Sequence, residues 1–173
     1  MPVIELVLPD LRYANSWIAA VREFAATTMH GSGLWDLAVD DATVETLADR
    51  IPGLLAQSDH ATELPEGRVH SDYWWMVDGT AFVGYLAIRH DLTEFLLNEG
   101  GHIGYGVRPS RRREGHATRA LELALVRARE IGLDRVLLTC DEDNTPSLRT
   151  IERNGGVLED IRNGTRRYWI SLA

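Results

Sequence analysis

Gly101-His102-Ile103-Gly104-Tyr105-Gly106-Val107-Arg108-Pro109 runs directly into Ser110-Arg111-Arg112-Arg113-Glu114-Gly115-His116-Ala117-Thr118-Arg119, and this junction decides the fold. The first half reads as a strand and the second as an arginine-rich turn that opens a helix. Backbone N–H groups at a helix start have no intrahelical partner, and together with the helix dipole they favour an anion. Gly115 leaves room for that anion to approach the main chain, and Arg111, Arg112 and Arg113 surround it with charge. The junction is suited to hold a phosphate.

Downstream, Glu114 to Glu130 carries Ala117, Ala120, Leu121, Ala124, Leu125 and Ala128 on one face, the pattern of a sheet-covering helix stopped by Gly132. Val136 to Cys140 is an apolar run that suits a strand buried on both faces. Asn144 or Thr145 then caps a helix with Pro146 in its first turn, ending at Gly155-Gly156. Strands from Val157 to Ile161 and Arg166 to Leu172 flank the turn Asn163-Gly164. Upstream, Tyr73 to Val77 and Thr80 to Ile88 flank Asp78-Gly79, a hairpin expected to use a type I′ turn. Asp91 to Asn98 suits a short helix, and Ser58 to Ser71 an exposed loop. Further back, Ile4 to Leu8 reads as a strand. Leu11 to about Thr28 reads as an amphipathic helix, and Asp41 to about Gln57 as a second one, either continuous or split at Pro52-Gly53. Antiparallel strands followed by a strand-helix-strand-helix unit give an α+β, or mixed α/β, fold.

Composition narrows the function. The chain has 173 residues, 45% of them hydrophobic and 25% charged, with a formal net charge of −8. That balance fits one globular domain and argues against general nucleic-acid binding, so the arginine cluster is a local patch suited to a compact polyanion. Cys140 is the single cysteine, which excludes an internal disulfide and cysteine-based zinc, and it reads as a buried strand residue. The six histidines show no ligand-like spacing, so no metal is expected. No segment approaches the roughly 20 apolar residues of a membrane span, and the expected location is cytoplasmic.

Arg112-Arg113-Glu114-Gly115-His116-Ala117 resembles the acyl-CoA pyrophosphate loop of the GNAT N-acetyltransferase superfamily, Gln/Arg-x-x-Gly-x-Gly/Ala. Ile103 to Pro109 looks like that family's central strand. Asn144-Thr145-Pro146-Ser147 and Ile151 to Gly156 are similar to its Asn-x-x-Ser/Ala helix and its closing Lys-x-Gly-Phe stretch. Tyr73-Trp74, Arg89-His90-Asp91-Leu92, Glu94 and Gly100 to Tyr105 look like a bacterial group of acetyltransferases within it. The resemblance covers roughly residues 70 to 173. It implies a GNAT fold over residues 1–173, with a twisted, mostly antiparallel sheet of six to seven strands, flanked by helices and split at the central strand.

The activity so implied is transfer of the acetyl group of acetyl-CoA to a primary amine of a small molecule. The other readings are acetylation of protein N-termini or lysines, and a non-catalytic acyl-CoA sensor. By resemblance, Arg112, Arg113, Glu114, Gly115, His116, Ala117 and Thr118 hold the pyrophosphate. Val107 and Arg108 run beside the pantetheine, and Asn144 and Ser147 lie against it, with Asn144 equally suited to capping.

Where many relatives carry a proton-donating tyrosine this chain has Ile151, which has no proton to give. His102 is the best candidate for the base, because its ordinary pKa suits proton uptake near neutrality, and it equally suits a structural hydrogen bond at the end of the strand. Tyr105 and Glu94 complete the expected catalytic set, although Tyr105 equally suits packing. Arg89, His90 and Trp74 are expected to line the acceptor pocket. Gly104 and Gly106 either mark a bulge or let a group approach the strand closely. The partners are an amine acceptor, preferably cationic for an acidic protein, with neither nucleic acid nor membrane; a homodimer stays open.

Overall fold

In a computed structural model, residues 3–25 and 27–173 are described. Seven strands form two sheets, β1-β2-β3-β4 and β5-β7-β6, antiparallel at every pairing. The strands are β1 (Glu5–Val7), β2 (Ser71–Asp78), β3 (Ala81–Arg89), β4 (Ile103–Val107), β5 (Arg135–Asp141), β6 (Val157–Arg162) and β7 (Thr165–Ser171). The helices are α1 (Ala14–Phe24), α2 (Val44–Ala56), α3 (Glu94–Asn98), α4 (His116–Glu130) and α5 (Thr145–Arg153). This is the α+β arrangement expected from the order of elements.

Strand alternation sends successive side chains to opposite faces of the first sheet. Trp75, Val77, Phe82 and Tyr85 meet Trp17, Val21 and Phe24 of α1 and Leu47 and Leu54 of α2 in one buried cluster. Met76, Leu86, Ile88 and Ile103 meet Ala120, Leu121 and Ala124 of α4 in the other. The second cluster continues through Val136 and Leu138 of β5 and Tyr168 and Ile170 of β7, so α4 bridges both sheets.

Two local expectations shift and one alternative resolves. The first helix ends at Phe24, short of Thr28, because Ala25 takes φ 45, which turns the backbone out of the helix; Ala26, inside the expected span, lies outside the described residues. α2 is continuous through Pro52 and capped by Thr43, whose side chain accepts from the Thr46 N–H at 3.1 Å. In the hairpin Asp78 pairs with Ala81, so the central residues are Gly79-Thr80, and Gly79 supplies a positive φ of 57 at the first of them.

Candidate active site

β4 and β5 are the facing edges of the two sheets, and they touch only where β4 begins. There the His102 N–H donates to the Leu137 carbonyl at 2.7 Å, and the Leu137 N–H donates to His102 Nδ1 at 2.9 Å. The Gly100 N–H donates to Thr139 Oγ1 at 2.8 Å. Beyond this staple the strands diverge. The Arg108 N–H reaches back to the Val83 carbonyl of β3 at 2.8 Å. Carbonyl i and amide i+1 of a peptide point opposite ways, so the Val107 carbonyl, and with it the Val107 N–H, faces the gap.

Two cavities open along this gap. The first, about 960 Å³, lies between β4, the start of α4 and α5. Gly115 precedes α4 in the left-handed region (φ 83) and brings no capping side chain, so the amides of His116, Ala117 and Thr118 face the cavity. Arg113 also has a positive φ of 66, a conformation that non-glycine residues rarely adopt and that turns successive amides inward into an anion-binding concavity. Arg112 is anchored by donation from Nε to the Val107 carbonyl at 3.0 Å. Arg149 and Arg153, one turn apart on α5, line the opposite wall. None of Arg112, Arg113, Arg149 and Arg153 has a carboxylate partner among the described residues. Four guanidiniums without counterions around open amides fit a nucleotide carrying several phosphates.

The second cavity, about 700 Å³, lies on the far side of β4, lined by Arg89, Glu99, Trp35, Arg68 and Asp141 among others. The two spaces share Thr28, His30, Tyr105, Asn144 and Ser147. Tyr105 Oη and Ser147 Oγ are 2.8 Å apart, and burial pushes the Tyr105 pKa up to about 12, so the phenol keeps its proton. Asn144 caps α5 through its side-chain oxygen, which accepts from the Ser147 N–H at 3.2 Å and holds Ser147 at the junction. His30 comes from the loop after α1. Burial lowers its pKa, Asp141 opposes the shift and Arg89 adds to it, so the ring is neutral at pH 7 and ready to accept a proton.

The loop that carries His30 accounts for Gly106, and the Arg89 guanidinium for Gly104, where a Cβ would stand 3.3 Å from Nη2. A Cβ on Gly106 would stand 3.1 Å from the His30 carbonyl oxygen, and one on Gly31 would stand 2.5 Å from the Gly104 carbonyl oxygen. The close approach is made by the protein's own loop, laid across the strand.

Several residues expected at the site are elsewhere. His102 lines neither cavity and is 6% exposed. Its Nδ1 lone pair is occupied by the Leu137 N–H, and burial lowers its pKa to about 4. A ring whose acceptor nitrogen is taken cannot serve as the base, so this expectation is corrected. Arg108 binds Glu23 at 2.7 Å and reaches Ser16 and the Phe82 carbonyl, a clamp onto α1 that turns its side chain from the cofactor cavity. The Glu114 carboxylate pairs with Arg111 at 2.9 Å and His116 at 2.7 Å. His90 bonds Asp72 at 2.8 Å and His60 at 2.9 Å, away from both cavities. Trp74 lies against the α4 side of the sheet because strand alternation puts it there. Glu94 is exposed in the first turn of α3 and lines neither cavity, whereas Glu99 beyond that helix lines the second.

Arg89 lines the second cavity, its Nη1 donating to the Gly100 and Gly101 carbonyls at 2.9 Å each. Sequence reasoning missed His30, Arg149 and Arg153. The two arginines carried a usable signal, since i and i+4 on the helix behind Asn144 share one face. His30 carried none, because it sits in a loop distant in sequence from β4.

The split sheet, with an open cationic helix start beside the unpaired edge of β4, is the arrangement of an acyl-CoA-dependent transferase. The chain belongs to the acetyltransferase (GNAT) family, whose model matches residues 33–156. It is therefore an acetyl-CoA-dependent acetyltransferase, and no helix among the described residues is long and apolar enough to cross a membrane.

Solved structures share the fold at low identity. Mycobacterium smegmatis RimJ, in complex with CoA-disulfide, is 23% identical with a TM-score of 0.72, over 98% of this chain and 82% of that one. The ribosomal-protein-S5-alanine acetyltransferase of Vibrio fischeri is 15% identical with a TM-score of 0.71, over 99% and 94% of the two chains. The microcin C7 self-immunity acetyltransferase MccE, in complex with acetyl-CoA and AMP, is 18% identical with a TM-score of 0.66, over 97% and 92%. Comparison with curated proteins finds no match.

Proposed function

We propose that the protein transfers the acetyl group of acetyl-CoA to a primary amine of a small molecule by direct attack within a ternary complex. The observation that carries this reading is the meeting of two cavities, one cationic and one of mixed charge, at His30, Tyr105, Asn144 and Ser147. The pyrophosphate rests on the amides after Gly115, and Arg112, Arg113, Arg149 and Arg153 neutralise the phosphates. The pantetheine lies along the open edge of β4 as an added strand would, with the thioester at the junction.

His30 takes the proton from the incoming ammonium, directly or through a water. The free amine forms the N–C bond, and the Val107 N–H, aimed into the gap, stabilises the oxyanion of the tetrahedral intermediate. Collapse breaks the C–S bond. The amine nitrogen's second proton reaches the leaving thiolate through the hydrogen-bonded hydroxyls of Tyr105 and Ser147, Ser147 donating as it is reprotonated, and His30 releases the first proton to solvent. This pair supplies the donor that buried Ile151 cannot. A small acceptor is favoured because the second cavity measures about 700 Å³, with Arg68 from the loop between α2 and β2 on its wall.

RimJ-like and ribosomal-protein acetyltransferase neighbours motivate one comparison in the test. Purified protein with acetyl-CoA is given a panel of small amines and of peptides with free N-termini, and thiol release is measured. Release with small amines is the expected result; release with peptides alone refutes the small-molecule assignment.

A further inference from the structure

The second cavity holds two cations with no counterion. Arg68 is exposed, lies 5.0 Å above the Trp35 ring, and makes no ion pair among the described residues. Asp36 beside it is engaged by Arg50. Arg89 is largely buried, with Nη1 on the Gly100 and Gly101 carbonyls and no carboxylate within ion-pair distance among the described residues. The two guanidiniums are close enough for the Arg68 charge to lower the Arg89 pKa. A buried guanidinium facing a second cation is costly unless an anion joins them.

The same cavity carries the carboxylates of Glu99 and Asp141, the latter acting on His30 at the junction. Trp35 and Phe95 also line it while 70% and 67% exposed, which gives an apolar frame between the charges.

We infer that the acceptor is a zwitterionic amine, a primary amine that also carries a carboxylate or phosphate, with its acidic group held between Arg68 and Arg89 and its amine directed past Asp141 to the junction. This rests on the reading of the second cavity as the acceptor site. It reverses the preference for a purely cationic acceptor that net charge suggests, because a local pair of guanidiniums outweighs a distant average.

The test uses matched pairs: phenylalanine against phenethylamine for a carboxylate, and O-phosphoethanolamine against ethanolamine for a phosphate, with spermidine as the cationic probe. Thiol release gives KM, and calorimetry on the CoA-saturated protein gives binding without turnover. In at least one pair the acid-bearing member has the lower KM and Kd, by roughly tenfold, the scale of one charge-assisted hydrogen bond. Arg68→Met closes that gap. Spermidine as the preferred acceptor, no gap in either pair, or a gap that persists in Arg68→Met overturns the inference. Arg68-dependent binding without thiol release upholds it and removes acetyl transfer; thiol release from both members of every pair at equal KM does the reverse.

Discussion

His102 was the sequence's best candidate for a base, and the structure makes it a staple, which gives a quantitative prediction. In the folded protein its pKa is lowered to about 4 by burial, against an ordinary 6.5. The folded state therefore favours the neutral ring, and the unfolded chain binds the proton first as pH falls. The stabilising contribution is complete above pH 6.5, declines through the window between 6.5 and about 4, and is gone below it. The difference in pKa corresponds to about 3 kcal/mol in all, of which about 2 kcal/mol is lost by pH 5.

His102→Asn isolates this contribution, because Asn Oδ1 can replace Nδ1 as the acceptor for the Leu137 N–H without titrating. Urea unfolding midpoints measured from pH 7 to pH 5 should fall about 1 M further in the wild type than in the variant, for a slope near 2 kcal/mol/M. Equal pH dependence in the two proteins refutes the staple argument. Loss of acetyl transfer in a folded His102→Asn protein would return His102 to the chemistry.

Four further outcomes are expected. His30→Gln lowers kcat about 100-fold near neutral pH and less at pH 9, where free amine is plentiful; an unchanged pH profile removes His30 as the base. Gly115→Glu abolishes CoA binding by calorimetry, since it places a carboxylate at φ 83 in the phosphate cradle; retained affinity contradicts the proposed cradle. Replacing Arg149 and Arg153 together by alanine raises the KM for acetyl-CoA roughly tenfold, leaves kcat within a factor of two, and weakens its salt dependence, so a KM equal to wild type counts against their role. Ser147→Ala slows the chemical step in single-turnover experiments about tenfold, and a smaller loss with a more acidic acyl thiol donor identifies Ser147 as proton donor.

The fold was legible where local signals agree with long-range pairing. The alternating run around Asp78-Gly79, the apolar face from Ala117 to Ala128 and the run Val136 to Cys140 each specify one element, and their order leaves few ways to assemble them. The cationic turn that opens α4 was legible because it is continuous in sequence, from Arg112 to Thr118. The second cavity was not: His30 and Trp35, Arg68, and Asp141 come from three separate stretches, and only the fold brings them together. His102 misled for a related reason. Its ordinary pKa advertises reactivity, whereas burial and the hydrogen bond from Leu137 are set by a strand 35 residues away.

The divergence of β4 from β5 has a consequence for the protein without its cosubstrate. Each sheet then ends in a strand that pairs with no further strand beyond the staple among the described residues, although Arg112 holds the Val107 carbonyl, and such borders recruit strands from other molecules. A pantetheine arm bound along β4 as proposed would shield that border and stabilise the fold in proportion to its saturation. Depletion of acetyl-CoA and CoA should therefore do more than halt turnover: it should shorten the protein's lifetime in solution, so that clumping on storage or heating follows the cosubstrate supply.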